Sequence, residues 1–132
     1  MTNAPVIDRE TIDMLREMDA ITKEDELLLE LIDDFLFYST DLVSAMKRAS
    51  PLQVSDELAA QSHSLKGASL NIGALALFSV CDAIETLARA RELSTLVHWL
   101  TELDHAYQKT TVALIELRNR TCRGEDINDL LG

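Results

Sequence analysis

The chain has 132 residues, the size of one domain with a substantial hydrophobic core. Apolar residues make up 47% of it, and its few glycines and prolines exclude a collagen-like or low-complexity chain. The formal net charge of -11 makes nucleic acid and anionic membrane surfaces unfavourable partners, because both are negatively charged.

The ends and the cysteines bear on compartment and domain organisation. The opening MTNAPVIDRE has neither the basic nor the apolar part of a signal peptide, and no apolar run is long enough to span a membrane. Cys81 and Cys122 are too few for a disulfide framework, so we expect a cytoplasmic protein without direct membrane insertion. Cys81 is predicted to be buried and Cys122 exposed.

We expect a single domain over residues 1–132, ordered over about 6–122, with a flexible tail from about 124 to 132.

Helical spacing of apolar residues runs through the whole chain, and no window shows the sustained alternation of a strand. A short first helix is predicted around Ile12 and Leu15, with Asp8 as its N-cap and Ile7 packing beside it.

A long second helix is predicted to begin near Thr22, with Asp25 in its first turn. It is expected to end at Ser50-Pro51, because the residue before a proline disfavours helical backbone. Its apolar residues form one stripe at helical spacing: Leu28, Leu31, Ile32, Phe35, Leu36, Leu42, Val43 and Met46.

Three more helices follow. The third is predicted from about Ser55 to Asn71, with Gly73 as its stop signal. The fourth covers about 74–91, and the fifth covers about 94–120 and stops before Gly124. Short connections between long helices predict an all-α fold, an antiparallel up-down four-helix bundle with a short additional N-terminal helix.

The segment richest in chemistry is SHSLKGAS, residues 62–69 of the third helix. His63 lies off the predicted core face, and Lys66 follows about one turn later, so the imidazole is predicted to reach solvent beside an ammonium group. A neutral imidazole is a good nucleophile, and the ammonium can offset the charge of a phosphoryl group. No nucleotide-binding loop or kinase motif accompanies them, so the site could hold a phosphoryl group but could not take one from ATP unaided.

Gly67 is unusual because a glycine inside a helix costs about 1 kcal/mol relative to alanine. Two explanations are open. Gly67 either allows close packing of a neighbouring helix, or it leaves open space above His63 through which a bulky group can approach. Spacing alone favours neither.

These residues carry a resemblance to a known family. Residues 60–69, AQSHSLKGAS, and 71–74, NIGA, resemble the core motif of histidine-containing phosphotransfer domains, and residues 81–85, CDAIE, with Arg89 resemble its second block. The similarity extends over about residues 5–120. It implies that His63 accepts a phosphoryl group from a receiver-domain aspartate and passes it to another receiver. Lys66 then stabilises the phosphoryl oxygens and Gly67 keeps the site accessible.

The resemblance also implies a border and a docking surface. Ser69, Glu85 and Arg89 are expected at the border of the site, although a carboxylate such as Glu85 cannot donate to phosphate oxygens as an amide does. Arg89, one turn after Glu85, could either pair with that carboxylate or reach the phosphate. The expected docking surface is the stripe Ala59, Ala68 and Leu70 beside His63.

The implied partners are the receiver domains of response regulators and of hybrid sensor kinases. The domain is expected to be a monomer that binds no cofactor of its own, with Mg²⁺ supplied by the receiver. The alternatives are a non-catalytic helical adaptor, and a histidine substrate domain excised from a larger hybrid or chemotaxis-type sensor kinase.

His98 and His105, with Glu102 between them, could imitate one face of a metal site. They lie opposite the apolar stripe of the fifth helix and are too few for a closed ligand shell, so we predict a solvated face and no metal site.

Overall fold

The computed structural model describes residues 3–22, 27–48 and 55–132. The helices are α1 (Arg9–Thr22), α2 (Leu27–Arg48), α3 (Ser55–Ile72), α4 (Leu75–Arg89) and α5 (Leu96–Arg123), followed by a 3-10 turn, Asn128–Leu130. No strand occurs within these described ranges.

The four long helices form a bundle. Helix α3 packs against α2 and α4, and α5 packs against the same two helices, so that α3 and α5 are diagonally opposed. Helix α1 packs on α2 and α3. The architecture confirms the predicted all-α bundle with an extra N-terminal helix. In the part of the chain that the structure describes, no helix is both long and apolar enough to cross a membrane.

The inner face of α3 fixes the orientation of residues 62–69, the segment that contains His63, Lys66 and Gly67. Five residues at helical spacing are buried on this face: Leu58, Ser62, Leu65, Ser69 and Ile72. The two serines donate their hydroxyl hydrogens to the carbonyl oxygens four residues earlier, at 2.6 and 2.7 Å, so neither hydroxyl is left unsatisfied. With this face inside, His63, Ser64 and Gly67 lie on the exposed side of α3.

The start of α2 differs from the prediction. Helix α1 continues to Thr22, and α2 begins at Leu27 rather than near Thr22. The Asp19 carboxylate of α1 accepts the first two backbone N–H groups of α2, from Leu27 at 2.8 Å and Leu28 at 3.2 Å. Asp25, predicted in the first turn, lies outside the described residues, as do Ser50 and Pro51, where the helix was predicted to end.

The helix ends predicted at Asp8, Gly73 and Gly124 are confirmed. The Asp8 carboxylate accepts the Thr11 N–H at 3.1 Å, as expected of an N-cap. Gly73 has φ +77° and Gly124 has φ +70°, the left-handed conformation in which helices commonly end. At Gly73 a Cβ atom would also lie 2.8 Å from the Thr11 side chain, so both the conformation and the space favour glycine there.

The C-terminal residues pack back on the bundle, which differs from the flexible tail expected from about residue 124. Ile127 and Leu131 are buried in the core. The Gly132 N–H donates to the Ile7 carbonyl at 2.9 Å, and the Arg9 guanidinium donates to Asn128 Oδ1 at 2.8 Å. Hydrogen bonds therefore join the C-terminal residues to the N-terminal segment, and two apolar side chains join them to the core.

Candidate functional site

His63 lies midway along the outer side of α3. Its neighbours Ser62 and Leu65 belong to the buried face, so the imidazole projects from the bundle and is 65% exposed. In this orientation its Nδ1 lies within hydrogen-bond distance, 3.0 Å, of the Glu85 Oε2 atom of α4.

Glu85 is the buried centre of a group of charged side chains around His63. This His63 cluster consists of His63, Lys66, Asp82, Glu85 and Arg89. Its side chain is 8% exposed and lies between α3 and α4, where the apolar stripe of α4 enters the core. Three side chains surround its carboxylate. The Lys66 ammonium lies 2.5 Å from Oε1, the Arg89 guanidinium donates to Oε2 from Nη2 at 2.7 Å and from Nε at 3.0 Å, and His63 contacts the same Oε2. A second carboxylate, Asp82, approaches Lys66 at 3.3 Å.

The surrounding charges keep Glu85 ionised. Burial is the largest single influence on the carboxyl and raises its pKa, but the hydrogen bonds from Lys66 and Arg89 and the nearby positive charges outweigh it and lower the pKa to about 2. Conversely, the hydrogen bond to Glu85 is the largest influence on Lys66 and raises the pKa of its ammonium. At neutral pH the cluster therefore contains a carboxylate that can only accept hydrogen bonds.

Gly67 borders open space. A Cβ atom built there has no neighbouring atom within 4 Å. Close packing of another helix therefore does not explain this glycine. That Gly67 keeps His63 accessible stays a prediction. The position lies one turn beyond His63 along α3.

Some of the other predicted site residues lie at the His63 cluster in the structure, and others do not. Arg89 and Glu85 join the cluster, but Ser69 is fully buried and donates to Leu65, so it does not border the site. Ala59 is only 3% exposed and cannot contribute much to a docking surface. Leu70 is exposed, as expected, and Ala68 is half-buried.

Asp82 and the central position of Glu85 were missed from the sequence. One signal was present. Glu85 falls between the core residues Ile84 and Ala88 of an apolar helix face, and Arg89 follows it at the i, i+4 spacing of a helical ion pair. An acidic residue at such a position indicates a buried, partnered carboxylate.

A larger groove than any around His63 lies elsewhere among the described residues. It has a volume of about 870 Å³ between α5 and the C-terminal turn, and its walls include Val112, Ile115 and Leu130 but no member of the His63 cluster. His98 and His105 are both exposed on α5. Within the described ranges, no group of three or more His, Cys, Asp or Glu side chains could hold a metal ion.

Comparison with known proteins adds the family. The Hpt domain family matches residues 30–113, more than half of the chain and the whole of the His63 cluster. The structure of histidine-containing phosphotransfer protein B from Pseudomonas aeruginosa PAO1 is similar with a TM-score of 0.75 and 28% identity, over 89% of this chain and 98% of that one.

A histidine-containing phosphotransfer protein from Medicago truncatula shares the fold, with a TM-score of 0.73 and 23% identity over 90% of this chain and 80% of that one. No curated protein matches the sequence significantly. The chain belongs to the Hpt domain family, and its function is that of a histidine phosphotransfer intermediate in a phosphorelay, in which such domains interact with receiver domains.

Proposed function

We propose that His63 is the residue that carries the phosphoryl group, and that it receives the group from a receiver-domain aspartate and passes it to a second receiver. The observation that carries this proposal is the contact between the exposed imidazole and the buried carboxylate of Glu85, at 3.0 Å. It directs one ring nitrogen into the protein and leaves the other facing outwards.

The contact also selects the tautomer. Because the Glu85 carboxylate is ionised and can only accept, the hydrogen of a neutral imidazole is assigned to Nδ1. Nε2 then carries the free lone pair, and no described residue forms a hydrogen bond with it. Glu85 is thus a positioning residue that orients the nucleophile and fixes which nitrogen reacts.

The transfer step follows from this arrangement. The Nε2 lone pair attacks the phosphorus atom of the receiver's aspartyl phosphate. An N–P bond forms while the P–O bond to the aspartate breaks, and the aspartate leaves as a carboxylate. If the proton stays on Nδ1, hydrogen-bonded to Glu85, the reverse step expels a neutral imidazole and no other proton needs to move. The same geometry therefore serves both acceptance and onward transfer.

Lys66 and Arg89 supply positive charge beside the reacting nitrogen. The oxygens of a phosphoryl group carry about two negative charges near neutral pH, which the ring offsets in part when it keeps the Nδ1 proton and becomes cationic. Both cations, Lys66 and Arg89, already lie on the carboxylate that contacts His63. Part of each side chain's donor capacity remains for phosphoryl oxygens, since an ammonium has three N–H donors and a guanidinium five. The Mg²⁺ that the family resemblance implies is expected on the receiver.

The docking surface is proposed around His63, on the outer side of α3. Gly67 provides open space and Leu70 an exposed apolar side chain. Ala68 lines a hollow of about 150 Å³ shared with Tyr38 of α2. We expect receiver domains of response regulators and hybrid sensor kinases to bind here. One copy of the chain contains the complete cluster, and we expect it to work in the cytoplasm, where its two free cysteines remain reduced.

The test is transfer from a phosphorylated receiver to purified variants. The wild-type chain should gain a label that is labile in acid and stable in base. His63→Gln should gain none, while the matched control His98→Gln, an exposed histidine on α5, should be labelled like the wild type. Label on His63→Gln refutes the assignment. A wild-type chain that binds receivers but never gains label favours the helical adaptor instead.

A further inference from the structure

The ammonium of Lys66 is shared between two carboxylates of α4. It lies 2.5 Å from Glu85 Oε1 and 3.3 Å from Asp82 Oδ1, and its side chain is only 22% exposed. In the unphosphorylated protein, the cation expected to hold the phosphoryl group is therefore already engaged by two negative groups.

The two carboxylates differ in how firmly they are held. Glu85 is buried and also binds Arg89 and His63. Asp82 is 56% exposed, and Lys66 is its carboxylate's only partner among the described residues. Ion pairs of exposed groups contribute little to stability, whereas a buried carboxylate that loses its partner is costly. When a phosphoryl group arrives, the contact with Asp82 is the one that Lys66 can give up at low cost.

We infer that Asp82 competes with the phosphoryl group on His63 for the Lys66 ammonium, and that it thereby lowers the equilibrium population of the phosphorylated form and favours onward transfer. The inference rests on the proposed role of His63. In the unphosphorylated state Asp82 stabilises Lys66, and in the phosphorylated state its charge repels the phosphoryl group. Both effects act in the same direction.

The charges of the cluster support this. Two carboxylates, Asp82 and Glu85, balance the two cations, Lys66 and Arg89, before transfer. With the proton kept on Nδ1, transfer of the phosphoryl group leaves the cluster with an excess of about -1, since the negatively charged oxygens arrive without a counterion and only the ring becomes cationic. Neutralising Asp82 removes one negative charge from the phosphorylated cluster. It leaves Glu85, the carboxylate that orients His63, in place.

The experiment measures the equilibrium between labelled receiver and labelled His63 for the wild type and for Asp82→Asn. We expect the ratio of labelled His63 to labelled receiver to rise about three- to fivefold, the size expected from one half-exposed ion pair. The matched control is Asp56→Asn, which changes the charge equally but affects an exposed carboxylate that pairs with Arg91. It should leave the ratio unchanged.

The double variant with Lys66→Ala separates this role from a general charge or docking effect. In the Lys66→Ala background the competition is gone and only the direct repulsion between two exposed charges remains, so Asp82→Asn should change the ratio by less than about 1.5-fold. An unchanged ratio in the single variant, or an equal increase in the Lys66→Ala background, overturns the inference. Either result leaves the proposed function standing as long as the wild type is labelled at His63, whereas an unlabelled wild type refutes both.

Discussion

Replacing Gly67 by alanine should make the protein more stable, although the residue belongs to the proposed site. Gly67 lies inside α3, and its added Cβ meets no atom within 4 Å. There is then no packing gain or clash, and only the helix propensity difference remains. That difference is about 1 kcal/mol in favour of alanine, because glycine loses more backbone entropy on folding.

The assay is urea unfolding followed by circular dichroism, with the thermal midpoint as a second measurement. A gain of about 1 kcal/mol corresponds to a rise of roughly 3–5 °C for a domain of this size. Gly124→Ala is the matched control, since it also adds a Cβ into open space but at φ +70°. It should lose about 1 kcal/mol or more, because the left-handed conformation is unfavourable for alanine.

A lower unfolding free energy for Gly67→Ala would refute the reasoning. Such a loss would need an unfavourable contact of the added methyl group, and the open surface provides none. A larger side chain tests the function of the same space. Gly67→Leu should be about as stable as Gly67→Ala, because leucine is also a good helix former, yet it should slow transfer from a receiver at least tenfold. Unimpaired transfer by the leucine variant contradicts a role of this opening in access to His63.

The remaining predictions concern single side chains. Arg91 has φ 55° after α4, and among the described residues its side chain forms only an exposed ion pair with Asp56. Arg91→Gly should therefore raise the unfolding free energy by about 1 kcal/mol, and a lower unfolding free energy in urea contradicts this. A thiol reagent should modify exposed Cys122 in the native protein but not Cys81, because burial raises the pKa of the Cys81 thiol to about 12; reaction of both before unfolding contradicts this. The carboxyl of Glu85 has a folded-state pKa of about 2, below its unfolded value of about 4.3, so its stabilisation is complete above that value and disappears as the pH falls towards 2. The difference in unfolding free energy between wild type and Glu85→Gln should therefore fall from on the order of 3 kcal/mol at neutral pH towards zero near pH 2, and a difference independent of pH contradicts this.

Much of the fold could be predicted from the sequence because helix periodicity and stop signals are local. The inner face of α3, the Asp8 cap and the left-handed glycines at 73 and 124 all follow from short-range spacing or backbone chemistry. The start of α2 could not be predicted in this way. Its first N–H groups are accepted by Asp19 of the preceding helix, a partner eight residues away that no local pattern specifies. The packed tail could not be predicted for a similar reason, since Asn128 and Gly132 form hydrogen bonds with Arg9 and Ile7 at the other end of the chain.

The sequence by itself placed His63, Lys66 and Gly67 on one exposed side of a helix, because their spacing depends only on helical geometry. Only the tertiary structure decided which of the implied neighbours reach them. Glu85 comes 22 residues after His63, and the packing of α4 on α3 brings its carboxylate to the imidazole while leaving Ser69 and Ala59 inside the core. The tautomer, the ion pairs of Lys66 and the low pKa of Glu85 depend on distances between two helices, and those distances are set by core packing and not by sequence spacing.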